Sequence, residues 1–248
     1  MKDTKCFEYL NHVIDIMHQV EETQWGNIDG GSRKIAEAIK DKSSIFVFGA
    51  SHAGILAQEM FYRTGGLAVI NPILPSEFML NTRPVVQTSD MEKLDGYPTV
   101  ILNNTPIRKG DILIVHSVSG RNTAAIEMAI EAKNRGIFTI GITNMTYTNG
   151  VTSRHKSGKK LCEVCDIIID NCGDFEDSSM LLEGMQQKIA PTSSVVGCSI
   201  VNMILIRTVE YLLEMGEEPP VFHSANVDGG AEFNKKIFEK YKDQIHYM

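Results

Sequence analysis

IFVFGASHAGILAQEM, residues 45–60, passes from an apolar run through a turn of small residues straight into a helical pattern. A strand without polar alternation is one buried on both faces, as in a parallel sheet. Four further runs of this kind follow, at 67–70, 111–116, 138–143 and 166–170. Helical patterns at 53–63 and 124–135, and a long helical region at 178–215, separate or follow them. Such alternation predicts an α/β fold built on a doubly wound, five-stranded parallel sheet. If the strand order is the common 2-1-3-4-5, the loops after strands one and three are neighbours where ligands bind such sheets.

The flanks add helices. Residues 5–27 carry Phe7, Leu10, Ile14 and Met17 at helical spacing, and a second short helix is expected at 32–40. These helices cover either the sheet or a partner subunit. Between 72 and 110 the pattern weakens, with short helices expected near 90–94 and from Pro98. After Gly216 and Pro219-Pro220, which end the long helix, comes an arm rich in turns that finishes in a short helix. The expected organisation is one domain over 1–248, with N-terminal helices at 1–43, a sheet core at 44–216 and a C-terminal arm and helix at 217–248.

With 24 Lys and Arg against 31 Asp and Glu, the net charge is −7, which argues against nucleic acid or an anionic membrane as partner. No uninterrupted apolar run nears the roughly 20 residues of a membrane helix, and the start lacks the marks of a signal peptide, so a cytoplasmic protein is expected. Five sparse cysteines, an odd number, read as reduced thiols. Cys162 and Cys165 form only half of a zinc-type pattern beside a buried strand, so no metal is expected.

The chemistry is sought in the loops. Gly49-Ala50-Ser51-His52 follows the first strand and His116-Ser117-Val118-Ser119-Gly120-Arg121-Asn122-Thr123 the third. Both combine small residues, hydroxyl donors and a following helix N-terminus, the ingredients of an anion site. Capping of those helices is the plainer alternative for each loop alone. Thr192 and Ser193, after Pro191, gather hydroxyls at another helix start. His52 and His155 are acid/base candidates on the same face of the sheet. Glu59, eight residues after Ser51, falls on the same helical side as that serine. A Walker sequence and a Gly-x-Gly-x-x-Gly turn are both missing, so ATP and NAD are disfavoured and no cofactor is expected.

GASHAG, HSVSGRNTAAIEMA and APTSSVVG together resemble the sugar isomerase (SIS) domain family. EMFYRTGGLAVINPIL, VTSRHKSGKKL and PPVFHSANVDGG narrow the likeness to a group of single-domain SIS proteins similar to phosphoheptose isomerases. The resemblance implies a three-layer sandwich, a phosphorylated sugar at the strand ends and a homodimer or tetramer whose sites are often completed by a neighbour. It implies phosphate-binding roles for Ser51, Ser117, Ser119 and Thr123, and an acidic catalytic role for Glu59. The family's C-terminal catalytic histidine has no counterpart between Val201 and Leu213. The expected reaction is aldose–ketose isomerisation of a sugar phosphate through an enediol. A phosphosugar lyase or etherase, or a phosphosugar sensor without catalysis, are the alternatives.

Overall fold

The computed structural model describes residues 4–248, so the first three residues of the N-terminal segment lie outside it. Five strands, β1 (Ile45–Gly49), β2 (Ile70–Ile73), β3 (Ile112–His116), β4 (Phe138–Thr143) and β5 (Ile167–Asp170), form one parallel sheet in the order β2-β1-β3-β4-β5. Among the described residues eight α-helices accompany them: α1 (Lys5–Lys40), α2 (Gly54–Met60), α3 (Gln87–Met91), α4 (Tyr97–Asn103), α5 (Thr123–Asn134), α6 (Met145–Asn149), α7 (Ser193–Glu214) and α8 (Gly230–Lys240). Alternate residues of the central strands face two cores. Ile45, Val47, Ile112 and Ile114 join the helices α1, α2 and α7. Phe46, Phe48, Leu113 and Val115 join α5 on the other side. The doubly wound three-layer arrangement and strand order expected from the sequence are therefore present.

Helix α1 runs unbroken where two helices were expected. Gly26, Gly30 and Gly31 cost an isolated helix about 1 kcal/mol each, but tertiary packing overrides that preference. A Cβ at Gly31 would stand 3.4 Å from Ile140 Cδ1, so glycine lets the helix lie close upon the sheet. The buried face is Val13, Ile16, Val20, Ile28 and Ile35, whereas Phe7, Leu10 and Ile14 are exposed.

Strand β2 lies three residues beyond the expected 67–70. It contains Pro72, tolerated because an edge strand has one side free of ladder bonds. Leu67 instead forms an antiparallel bridge with Val221 of the C-terminal arm. Buried Asn71 fastens the same arm: its Nδ2 donates to the carbonyls of Ile45, Val69 and Gln244, and its Oδ1 accepts from His246 N at 2.7 Å. The tail thus lies over the sheet edge, which guards against pairing with other chains.

The long helical region expected from Ser178 begins only at Ser193. Residues 178–192 form a loop bridged at Met180 and Ile189, with Ala190 at φ 64° before Pro191. A residue before proline is disfavoured in the helical region, which explains the late start. Helix α7 is long and apolar enough to cross a membrane by length and composition alone, contrary to the expectation that no run approached this. Asn202, Arg207 and Glu210 interrupt the apolar pattern in the sequence, and in the fold α7 packs along α1. Arg207 Nε donates to Asp29 at 2.7 Å and Ser32 Oγ to the Ile204 carbonyl at 3.2 Å across that contact.

Candidate functional site

Gly49 and His116 are partners in the β1–β3 ladder, so the two loops leave the carboxyl edge of the sheet side by side. Here the chain order reverses, with β2 on one side and β4 on the other. The first loop is tight: a Cβ on Gly49 would sit 2.3 Å from the Ala53 carbonyl oxygen, so only glycine allows the turn. Ser51 then adopts φ 56° and starts a 3-10 turn that precedes α2. In the second loop Gly120 has φ 61°, and a Cβ there would press within 2.9 Å of Thr148 Oγ1.

Between the loops opens a cleft of about 190 Å³. Of the residues singled out in the sequence, Ser51, His52, Ser117, Ser119 and Asn122 line it. Ala124 and Ala125, in the first turn of α5, form part of its wall, and no side chain caps that helix end. Backbone N–H groups and the positive end of a helix therefore accompany the loop hydroxyls. The volume is below the roughly 300–1,000 Å³ usual for drug-sized ligands and suits a small polar one.

Four lining residues were given no site role from the sequence: Glu92, His116, Tyr147 and Asp177. Asn122 Nδ2 donates to Glu92 Oε2 at 2.6 Å. Burial raises the Glu92 carboxyl above the usual carboxylate range, against hydrogen bonds from Asn122 and Ser51. His116 Nδ1 lies 2.9 Å from the Ala53 carbonyl oxygen, an acceptor, so Nδ1 carries the proton. Its Nε2 is buried and unpartnered among the described residues. Burial lowers the His116 pKa, with the Ala53 bond and the charge of Asp177 opposing, so the ring favours its neutral form with an accepting Nε2. Glu92 came from the stretch with least pattern and Asp177 from a turn at φ 53°. His116 stood inside HSVSG, and its place at a strand end was the available signal.

Other expected site residues stand outside the cleft lining. Because a 3-10 turn precedes α2, Ser51 and Glu59 do not share a helical face. The Ser51 hydroxyl meets Thr88, while Glu59 pairs with Arg63 and accepts from Asn202 Nδ2 of α7 at 3.0 Å. His155 is buried beside Ser157, its Nδ1 2.8 Å from that hydroxyl. Arg121 reaches toward Thr152, and Thr123 Oγ1 donates to the Arg154 carbonyl at 3.3 Å. Asp177 stands between the cleft and the start of α7, accepting from the backbone N–H of Thr192 and Ser193 and from Ser193 Oγ at 2.6 Å. Those two residues connect to the cleft through that carboxylate.

Cys162 and Cys165 pack as thiols. Burial pushes the Cys165 thiol up to about 12, and all five cysteines are free. A larger hollow of about 420 Å³, between Phe46, Tyr97 and His246, lies along the β2 flank rather than at the strand ends.

Residues 8–144 match the family model described as the SIS domain. The UPF0309 protein OB3413 of Oceanobacillus iheyensis is 46% identical over 241 residues, covering 97% of this chain and 98% of its own. Among solved structures, phosphoheptose isomerase from Neisseria gonorrhoeae superposes with a TM-score of 0.54 at 15% identity, covering 84% of this chain and 96% of its own. The Vibrio vulnificus NanR protein, solved with ManNAc-6P, superposes with a TM-score of 0.52 at 15% identity, covering 96% of this chain and 70% of its own. The family match, spanning more than half of the chain and supported by a full-length relative, makes this protein a member of the SIS domain family.

Proposed function

We propose that the chain binds a phosphorylated sugar in the cleft between the β1 and β3 loops and isomerises it between aldose and ketose forms. The observation that carries this reading is the convergence of two Ser-bearing loops on the N-terminus of α5, which has no side-chain cap among the described residues. Ser117, Ser119 and Asn122 hold the phosphate, with Ser51 closing from the other side. Gly120, Arg121 and Thr123 keep the loop in shape. Among the described residues the lining contains no Lys or Arg, so neutral donors and the helix dipole carry the anion. Thr192 and Ser193 contribute by fixing Asp177, whose carboxylate accepts sugar hydroxyls.

Isomerisation moves a proton between adjacent carbons and needs a base at carbon with an acid at oxygen. His116, neutral with an accepting Nε2, supplies the base. Glu92, whose carboxyl keeps its proton to higher pH than usual, supplies the acid, and exposed His52 serves as relay. Glu59 and His155, outside the lining, take no part in this scheme. The phosphoheptose isomerase and NanR likenesses support a phosphosugar as ligand by analogy of fold alone.

The test is a thermal-shift panel of sugar phosphates, with stabilising compounds then followed by proton NMR. Ligand at 100 times its Kd should raise Tm by roughly 5–10 °C. An isomeric product supports isomerisation, a released acid points to the lyase or etherase, and binding without turnover leaves a sensor. A panel without any shift contradicts phosphosugar binding itself.

The assembly belongs to the same proposal. Phe7, Leu10 and Ile14 on α1, with Val195, Ile206 and Leu213 on α7, expose apolar surface. A groove of about 400 Å³ between Met17, Trp25 and Met203 lies between the two helices. Apolar surface of this extent favours a partner, and a second copy of the chain is the occupant proposed.

A further inference from the structure

Behind α5, away from the cleft lining, Asp95, Glu127 and His155 each present a ligand atom within 4.8 Å of the others. Asp95 comes from the turn before α4, Glu127 from the second turn of α5 and His155 from the loop after β4. Glu127 and His155 are 5% and 7% exposed, while Asp95 is exposed. The Glu127 carboxylate is held in place: Oε2 accepts from Gly96 N at 2.9 Å and Oε1 from Thr99 Oγ1 at 2.7 Å. The histidine is oriented as well, since Nδ1 meets the Ser157 hydroxyl at 2.8 Å and the Ser157 N–H at 3.2 Å. That leaves Nε2 as its ligand atom, buried and without a hydrogen-bond partner among the described residues.

A buried imidazole nitrogen with no partner, beside two carboxylates, is costly unless something occupies the point between them. We infer that Asp95, Glu127 and the Nε2 of His155 bind one divalent transition-metal cation. One nitrogen and two carboxylate oxygens suit zinc, manganese or iron(II) better than calcium or magnesium, which prefer oxygen alone. Ligand atoms around a tetrahedral ion of this kind lie about 3.4 Å apart, so pairs up to 4.8 Å apart must close by as much as about 1.4 Å, which rotation of the exposed Asp95 side chain can supply. As the structure stands Nδ1 accepts the Ser157 N–H, so metal binding moves the imidazole proton from Nε2 to Nδ1, where the Ser157 hydroxyl 2.8 Å away can accept it as the outer hydrogen bond such histidines carry.

The ion joins three segments around the phosphate loop. Arg154, next to His155, donates from Nη1 to Asn122 Oδ1 at 2.9 Å and from its backbone to the Arg121 carbonyl at 2.8 Å. Ala124 N donates to the Glu92 carbonyl at 3.0 Å, three residues before Asp95. The cation is thus a clamp on the segments that place Asn122 and Glu92, with no contact to the reacting sugar.

The probe is Co²⁺ titrated into the full chain, read by visible absorption and by calorimetry. One equivalent should bind with the spectrum of nitrogen and oxygen ligands. Asp95→Asn and His155→Gln should each weaken binding at least about 10-fold. Asp95 is exposed, so Asp95→Asn keeps its fold and decides the matter even if His155→Gln does not. Absence of stoichiometric binding, unchanged affinity in Asp95→Asn, or a sulfur-to-cobalt charge-transfer band showing cysteine ligation would each overturn the site.

Discussion

Glu92 connects stability and chemistry in a single side chain. Burial raises its carboxyl pKa, so the folded state holds that proton more tightly than the unfolded chain does. Its contribution is fully present below the ordinary carboxylate pKa and declines as pH rises through the raised value. Glu92→Gln should therefore melt higher than wild type at neutral pH, with the difference shrinking in acid. The same variant should lose about 100-fold or more in isomerase turnover, as expected for removal of a general acid. Calorimetric melts across the acid range check the first outcome, and NMR of product formation checks the second. A variant less stable at neutral pH than wild type would contradict the proposed environment. None of this was legible beforehand, because Glu92 falls in the short helix expected near 90–94 with nothing in the sequence to bring it to the strand ends, whereas Ser51, Ser117 and Ser119 follow strands whose apolar runs announce them.

Among the elements, four strands were legible from their apolar runs. Strands β1, β3, β4 and β5 lie within a residue of their expected limits. Strand β2 was displaced because Asn71-Pro72 reads as a break, while its actual anchor is the buried amide of Asn71 gripping the C-terminal tail. Removing that amide leaves several buried backbone groups unpaired, so Asn71→Ala should cost about 2–4 kcal/mol in denaturant unfolding. A loss below about 0.5 kcal/mol would mean the tail contributes little to the sheet edge. Helix α1 shows the opposite limitation. Two helices were expected where one runs unbroken across its glycines, close upon Ile140, and the Phe7-Leu10-Ile14 stripe faces outward rather than onto the sheet.

The whole molecule sets two loops of one sheet against each other and exposes an apolar helical face, proposed to meet a second copy. Leu10→Glu with Ile14→Glu places charge on that face without touching the core. Light scattering should show an oligomer for wild type and a monomer for the double variant, and a wild-type monomer at micromolar concentration would defeat the assembly proposed. The phosphate is proposed to divide unequally between the loops, gripped by the β3 loop and closed over by the β1 loop. Calorimetric titration of wild type, Ser51→Ala and Ser119→Ala with a stabilising sugar phosphate tests it most directly. The account predicts binding by wild type, a loss of about 10-fold or more in Ser119→Ala and a smaller loss in Ser51→Ala. Equal affinity in Ser119→Ala and wild type, with both proteins folded, would contradict it.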